Sequence, residues 1–454
     1  MGRMTFQGAI RYDRAWSYYP EVTIGPVRFL PNAIHYAETP GVTGYNDITP
    51  RGGVAWDLFG TGKTSLKLNF GKYLQAAQNG LAYGALRPSG RLTTTVTRAW
   101  TDTDGDFVPD CDLQNPLANN GGDPCAQISD LGFGTERFTS DLDPKLVSGW
   151  GVRPGDWQIG ASIQQQLLPR VSAEFGYTRR WLNNFTWDNN VLQATNQFDT
   201  FSVTAANDQR LPEEARGRTI GGLYNVQQSV ASQVNNITML ASDAGGDYTQ
   251  VFNGFLLNVS ARTRNGVTFQ GGLGTGTTTT DYCGVRAVSP EFTVLGAQNP
   301  TNPWCHFSTG WVTRYTGLGS YTIPKIDVLF SGTFRSDKGS PLAANMVFTS
   351  GQTTLGRAFA NNAPNVTVNL VEPGTLYGDR VNEIDLRVAK ILRFGRTRTN
   401  VGFDIYNVTN SNPVLTYNQA FNPTINTTNP SANWLAPQST LQPRFVKFSA
   451  QIDF

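Results

Sequence analysis

Charge is scarce in this 454-residue chain: Asp, Glu, Lys and Arg make up 15%, against roughly 25% in ordinary soluble domains. Bases and acids nearly cancel, 36 against 34, and no basic run occurs, so nucleic acid is excluded as a partner. Hydrophobic residues are also few, at 39%, and no run is long enough for a membrane-spanning helix. Histidine is nearly absent, with only His35 and His306. Neither G-x-S-x-G nor H-E-x-x-H occurs, so the chain reads as a non-enzyme. The four cysteines contain no C-x-x-C, which argues against a zinc site.

Glycine, with 47 residues, and aromatics, at 11%, fill the gap. So many aromatics argue against disorder. Helical periodicity is almost missing, and period-2 alternation runs from end to end. In "RFVKFSAQIDF" one face carries Val446, Phe448, Ala450, Ile452 and Phe454, and the other Lys447, Ser449, Gln451 and Asp453. "VNEIDLRVAKIL" sets Ile384, Leu386 and Val388 against Glu383, Asp385 and Arg387. "PRVSAEFGYTRRW" sets Val171, Ala173, Phe175 and Tyr177 against Ser172 and Glu174. In "TSLKLNFGKY", Leu66, Leu68 and Phe70 oppose Lys67 and Asn69, and a one-residue slip would bring Lys72 to the polar face. About 14–16 such segments are expected, each about ten residues or longer, as a tilted bilayer crossing requires. Trp16, Trp56, Trp181 and Trp311 fall at segment ends, where they would form interfacial belts.

Connections come in two lengths. Residues 59–65, 167–172, 264–267 and 394–399 read as tight turns. Residues 101–150, 182–222, 277–311, 341–362 and 407–440 read as long polar loops. Alternating short and long connections mark a transmembrane antiparallel β-barrel, with the long loops outside the cell. The fold class expected is therefore all-β, a partial barrel with long extracellular loops. Localisation follows: a bacterial outer membrane, with its lipid as a partner.

The long loops hold the motifs. Cys111 with Cys125 and Cys283 with Cys305 form two local pairs that suggest disulfides in an oxidising compartment. In "TDTDGDFVPDCDLQNP", Asp102, Asp104, Asp106, Asp110 and Asp112 crowd eleven positions. The first three match positions 1, 3 and 5 of an EF-hand loop, but Phe107 replaces its glycine and Leu113 its glutamate. The run is closer to the short aspartate-rich calcium loops of thrombospondin type 3 repeats. Calcium binding is one reading and a solvated turn pinned by Cys111–Cys125 the other; no cofactor is required by either. "GTGKT" at 60–64 is a hairpin turn rather than a phosphate loop: Asp57 stands where the first glycine belongs, and a strand pattern follows.

Three stretches carry a family resemblance: "ITPRGGVAWDLFGTGKTSLKLNFGKY", "TDTDGDFVPDCDLQNP" with the later "GGDPC", and "GDRVNEIDLRVAKILRFGRTRTNVGFDIYNVTNSNPV". With a terminal strand ending on Phe454, the chain resembles the C-terminal barrel portion of TonB-dependent outer-membrane receptors. The nearest type is Oar-like, which carries a carboxypeptidase-regulatory-like domain at its N-terminus. The resemblance implies that residues 1–454 are the C-terminal part of a barrel, the plug and N-terminal domains lying outside them. It implies Phe454 as the assembly signal read by the barrel-assembly machinery, TonB as a partner through a plug, and uptake of an extracellular ligand not yet identified. Two alternatives stand beside it: a plugless, porin-like passive barrel, and a secreted calcium-stabilised adhesin.

Overall fold

The computed structural model describes residues 2–77, 86–136, 141–290, 303–395 and 397–453. Its main feature is one antiparallel sheet built as a meander. Twelve long strands follow one another in chain order: β1 Met4–Ala15, β2 Gly44–Asp57, β3 Thr64–Leu74, β4 Gly155–Leu168, β5 Val171–Asn183 and β6 Thr249–Arg262, then β7 Val267–Asp281, β8 Val312–Ile323, β9 Val328–Asp337, β10 Val381–Phe394, β11 Thr397–Tyr406 and β12 Phe445–Asp453. Two three-residue strands, Ser148–Trp150 and His306–Ser308, attach to β2 and β7 and bring the sheet to 14. Twelve strands of crossing length fall short of the 14–16 expected, because several alternating segments belong to the loops instead; only the two short attachments bring the sheet to 14. β1 and β12 each pair on one side only, so the sheet is open among the described residues.

The alternation sorts the two faces. Apolar side chains on one face stand exposed: Phe6 at 72%, Ile10 at 80% and Phe448 at 79%. Asp47, Thr49, Asp156 and Asp404, on the opposite face, are buried. This is the reverse of a soluble sheet, and it fits strands whose outer face meets lipid. The aromatic belts are present too: Trp16 and Trp311 are exposed where strands meet the long loops, and Trp56 and Phe59 where they meet the turns. Strands of 9 to 15 residues span the hydrocarbon layer when tilted. The sheet is the wall of an outer-membrane β-barrel.

Register corrects one detail. The β3–β4 ladder runs without a slip, Gly71 opposite Gln158 and Lys72 opposite Trp157. Lys72 therefore lies on the apolar face and Tyr73 on the polar one. At a strand end this is tolerable, since a lysine stem can reach the headgroup layer. At the β6–β7 junction the strands touch closely: a Cβ on Gly272 would lie 1.9 Å from the Leu257 carbonyl oxygen, so only glycine fits there.

Five tight turns join β2–β3, β4–β5, β6–β7, β8–β9 and β10–β11, and six long connections alternate with them. The turn at 324–327 and the long connection at 16–43 were not separated from their flanking strand patterns in the sequence. Phe454 lies outside the described residues; the alternation leading to it places Val446, Phe448 and Ile452 on the exposed apolar face.

The long loops are not the simple polar excursions expected. They fold into small sheets with apolar cores of their own. The largest core gathers Phe201, Leu211 and Leu223 from 184–248, Phe348 and Val368 from 338–380, and Phe421 and Trp434 from 407–444. Each such buried side chain contributes roughly 1.5–3 kcal/mol. A smaller core ties Val42 and Tyr45 to Leu142, Leu146 and Val147. The protein's conventional hydrophobic core therefore sits in a cap over one end of the wall.

A charge placed mid-strand on the apolar face should be costly. Val388 stands in the row with Phe330, Phe403 and Phe448. Val388→Arg is expected to lose about 2–4 kcal/mol in urea unfolding from lipid vesicles. Asn258→Lys, on the polar face, should change stability by no more than about 0.5 kcal/mol. Equal losses at both sites would contradict the face assignment.

Candidate functional site

The inner, polar face carries cross-strand ion pairs toward its cap side. Arg153 holds Asp47 with Nε and a terminal nitrogen at 3.0 and 2.9 Å, and both side chains are nearly fully buried. Arg180 meets Asp156 at 2.8 Å, with Gln158 donating to the same carboxylate at 2.9 Å. Arg335 pairs with Glu383 at 2.8 Å and Arg314 with Asp337 at 2.9 Å. One terminal nitrogen of Arg387 donates to both Asp404 oxygens, at 3.0 and 3.2 Å. Arginine suits this work because its planar fork matches a carboxylate. Here 28 arginines outnumber 8 lysines. The result is a hydrated, charged, mutually neutralised wall.

The cap is fastened by a few arginines. Arg357, from 338–380, binds Asp199 through two nitrogens at 2.7 and 2.9 Å and also donates to the Asn225 and Val226 carbonyls. The Arg357 side chain holds the Asp199 carboxyl below its ordinary range, with Gln227 assisting. Arg210 binds Asp208 and reaches the Asn422 and Pro423 carbonyls, joining the loop at 184–248 to the last. Trp434 closes the same seam by donating to the Ala343 carbonyl. Apart from Asp208 with Arg210, none of these partners is near another in sequence, so no motif announces the contacts between loops.

Both expected disulfides are present. Cys111–Cys125 closes a separation of 14 residues and Cys283–Cys305 one of 22. Closing loops of this length contributes about 3 kcal/mol by the chain-entropy argument.

The aspartate loop divides. Carboxylate oxygens of Asp102, Asp104 and Asp106 lie within 4.8 Å of one another and could hold a hard cation. Asp110 and Asp112 are not part of that group. The Asp112 carboxylate is turned to the Gln114 N–H at 2.9 Å, and Asp110 packs against Gly122. Asx turns shape the loop: Asp102 accepts from the Gly105 and Phe107 N–H groups, and Asp106 from Val108. Two residues missed in the sequence organise it. Asp123, buried, accepts from the N–H groups of Thr103 at 2.7 Å and Asp110 at 3.2 Å. Arg98 gathers the carbonyls of Asp112, Asn115 and Leu117. Phe107 takes φ 61° and is 86% exposed at the loop tip.

No known protein family and no curated protein matches the chain. Solved structures do. The outer membrane transporter YddB from Escherichia coli is 10% identical with a TM-score of 0.44, over 99% of this chain and 52% of that one. The FrpB iron transporter from Neisseria meningitidis is 11% identical with a TM-score of 0.43, over 99% and 43%. The toluene transporter TodX from Pseudomonas putida is 8% identical with a TM-score of 0.27, over 99% and 80%. The chain thus spans about half the length of the first two. The fold assignment comes from the sheet itself.

The aspartate loop should respond to pH in two stages. The Asp106 N–H lowers the Asp104 pKa, but desolvation and the carboxylates of Asp106, Asp110 and Asp123 outweigh it and raise the net value above the ordinary 3.8. Backbone donation from Thr103, then Asp110, holds Asp123 below 3.8. A raised acid favours the folded loop when protonated, so loop order should increase as pH falls through the Asp104 value. A lowered acid supports the loop above 3.8 and loses that support as pH falls through its folded value. Hydrogen-exchange protection of the Gly105 and Phe107 amides, corrected for intrinsic rates, should therefore rise and then collapse on acidification. Asp104→Asn should abolish the rise and keep the collapse. A monotonic curve in the parent protein would contradict the assignment.

Proposed function

We propose that the chain is the C-terminal wall and ligand-facing cap of an energised outer-membrane transporter of the TonB-dependent, Oar-like type. The observation that carries this reading is the open twelve-strand wall, apolar outside and polar inside, with β1 and β12 unpaired to each other among the described residues. An unpaired strand edge cannot face hydrocarbon. Further strands beside β1 and β12 would close a barrel wider than twelve strands give, with room for a plug. The three sequence stretches noted above point to the same family. In this reading the ion-paired inner wall is a hydrated track, and the cap, braced by Arg357, Arg210 and Trp434, receives the ligand. The work is transport rather than catalysis.

The test uses the intact gene in its own cells. Growth on a limiting solute that requires this protein should vanish when TonB is deleted. Equal uptake without TonB would overturn the energised reading in favour of a passive barrel.

Calcium at Asp102, Asp104 and Asp106 belongs to the same proposal as a stiffener of the loop that Cys111–Cys125 closes. Calorimetric titration of the refolded protein should show binding in the range of about 0.1–1 mM that extracellular calcium modules occupy. The triple change of these residues to Asn should remove it. No heat of binding up to several times that concentration would eliminate the metal.

A further inference from the structure

We propose that the turn-side end of the inner face carries an oxyanion-binding recess, centred on Lys63, Arg170 and Arg262. It would take a solute bearing at least two phosphate or carboxylate charges. A cavity of about 810 Å³ opens there, lined by these three cations, by hydroxyl and amide side chains and by the apolar Val171, Ala261, Phe269 and Leu318, with no Asp or Glu in its lining. The contrast with the cap side is sharp. There Arg153, Arg180, Arg335 and Arg387 are each paired with a carboxylate, while Arg51 lies over the Tyr73 ring and Arg380 bonds Ser336. Among the described residues, Lys63, Arg170 and Arg262 form no ion pair at all, and all three are exposed.

The three positions are held together by backbone, not by chance reach of side chains. The Gln166 N–H donates to the Lys63 carbonyl at 2.7 Å, and the Arg262 N–H to the Arg170 carbonyl at 3.0 Å. Arg170 occupies the two-residue β4–β5 turn at φ 67°, a conformation that favours glycine. A cationic side chain is kept there at the expense of backbone ease, which points to a role for the side chain.

The neutral lining is set up to donate. Ser172 and Ser260 stand opposite each other across β5 and β6, and Ser65 stands opposite Gln164 across β3 and β4. The Gln164 carbonyl oxygen already accepts from the Lys67 ammonium at 2.8 Å, so what Gln164 has left to offer is amide N–H. Glu174, the inward carboxylate on β5, shares the register row of Ser65 and Gln164 but is not among the residues that line the cavity, and it stands one row from Ser172 and Ser260. Cations with hydroxyl and amide donors are what a phosphate or carboxylate solute needs. Ser65, Gln164, Ser172, Ser260 and Arg262 stand on the polar face, so the occupant is a solute rather than a lipid headgroup. Binding of this kind does not require the transport reading, since it is measured at equilibrium on the folded chain.

Pyrophosphate is the probe. The whole protein that contains this chain, refolded and checked by heat-modifiable migration, is titrated in zwitterionic lipid discs. Saturable binding that weakens with rising salt is expected. Lys63→Gln, Arg170→Gln and Arg262→Gln should each weaken it by about tenfold, as loss of one charge-assisted contact implies. Arg170→Lys should retain most of the affinity. These are turn and strand-end positions, so the migration check separates lost binding from lost folding. No saturation by the parent protein, or equal binding by the Gln variants, would overturn the proposal. Displacement of pyrophosphate by phosphatidylglycerol in the discs would overturn the solute assignment; unchanged binding would support it. Because binding and TonB-dependent growth are read separately, either can fail without the other.

Discussion

Backbone hydrogen bonding in the absence of water is the constraint on which the rest of this structure depends. Inside a bilayer each strand must find its N–H and C=O partners on a neighbouring strand. The meander satisfies this with eleven consecutive antiparallel ladders, from β1–β2 to β11–β12. Tight turns on one side keep the ladders in register, and the pleat then decides which residues meet lipid. Gly272 shows how strictly the ladder is kept, since any side chain there would strike the Leu257 carbonyl. Only the outer edges of β1 and β12 leave a row of donors and acceptors without partners among the described residues.

That constraint displaces the hydrophobic core. A wall with lipid outside and a polar inner face has no interior in which to bury apolar side chains. Its exposed Ile10, Phe330 and Phe448 are stabilised by lipid, not by packing. Apolar burial of the ordinary kind appears instead in the cap, where Phe201, Leu223, Phe348 and Trp434 close a core shared by three loops. The inner wall is polarised along the strands as well. Its cap side is neutralised by arginine–carboxylate pairs, and its turn side is left basic at Lys63, Arg170 and Arg262. A solute moving from cap to turns would pass from a balanced surface to a positive one, a gradient that favours anions.

Much of this could be read in the sequence because period-2 alternation is local. Val446 and Phe448 against Lys447 and Ser449 define a face without any knowledge of the fold. Cys111–Cys125 and Cys283–Cys305 were legible because each pair is close in sequence. What could not be read depends on register across distance. Lys63, Arg170 and Arg262 are about a hundred residues apart in sequence and meet only because β3 to β6 are neighbours. The same holds for Arg357 with Asp199, and for a cap core assembled from single residues on three loops. Asp123 was overlooked because it stands eleven residues beyond Asp112, outside the crowded run; its role comes from the Cys111–Cys125 closure that returns it to Thr103. Lys72 was misassigned because a basic residue was expected to seek the polar face, whereas a strand end lets its stem reach the headgroups.

The most direct test of the membrane-wall account is nitroxide scanning along β10 in lipid vesicles, reading collision with oxygen against collision with a water-soluble nickel chelate. Labels at Ile384, Leu386 and Val388 should favour oxygen, and labels at Glu383, Asp385 and Arg387 should favour the chelate, alternating residue by residue. Uniform access of the chelate to all six positions would mean that the sheet does not cross a membrane, and would contradict the account.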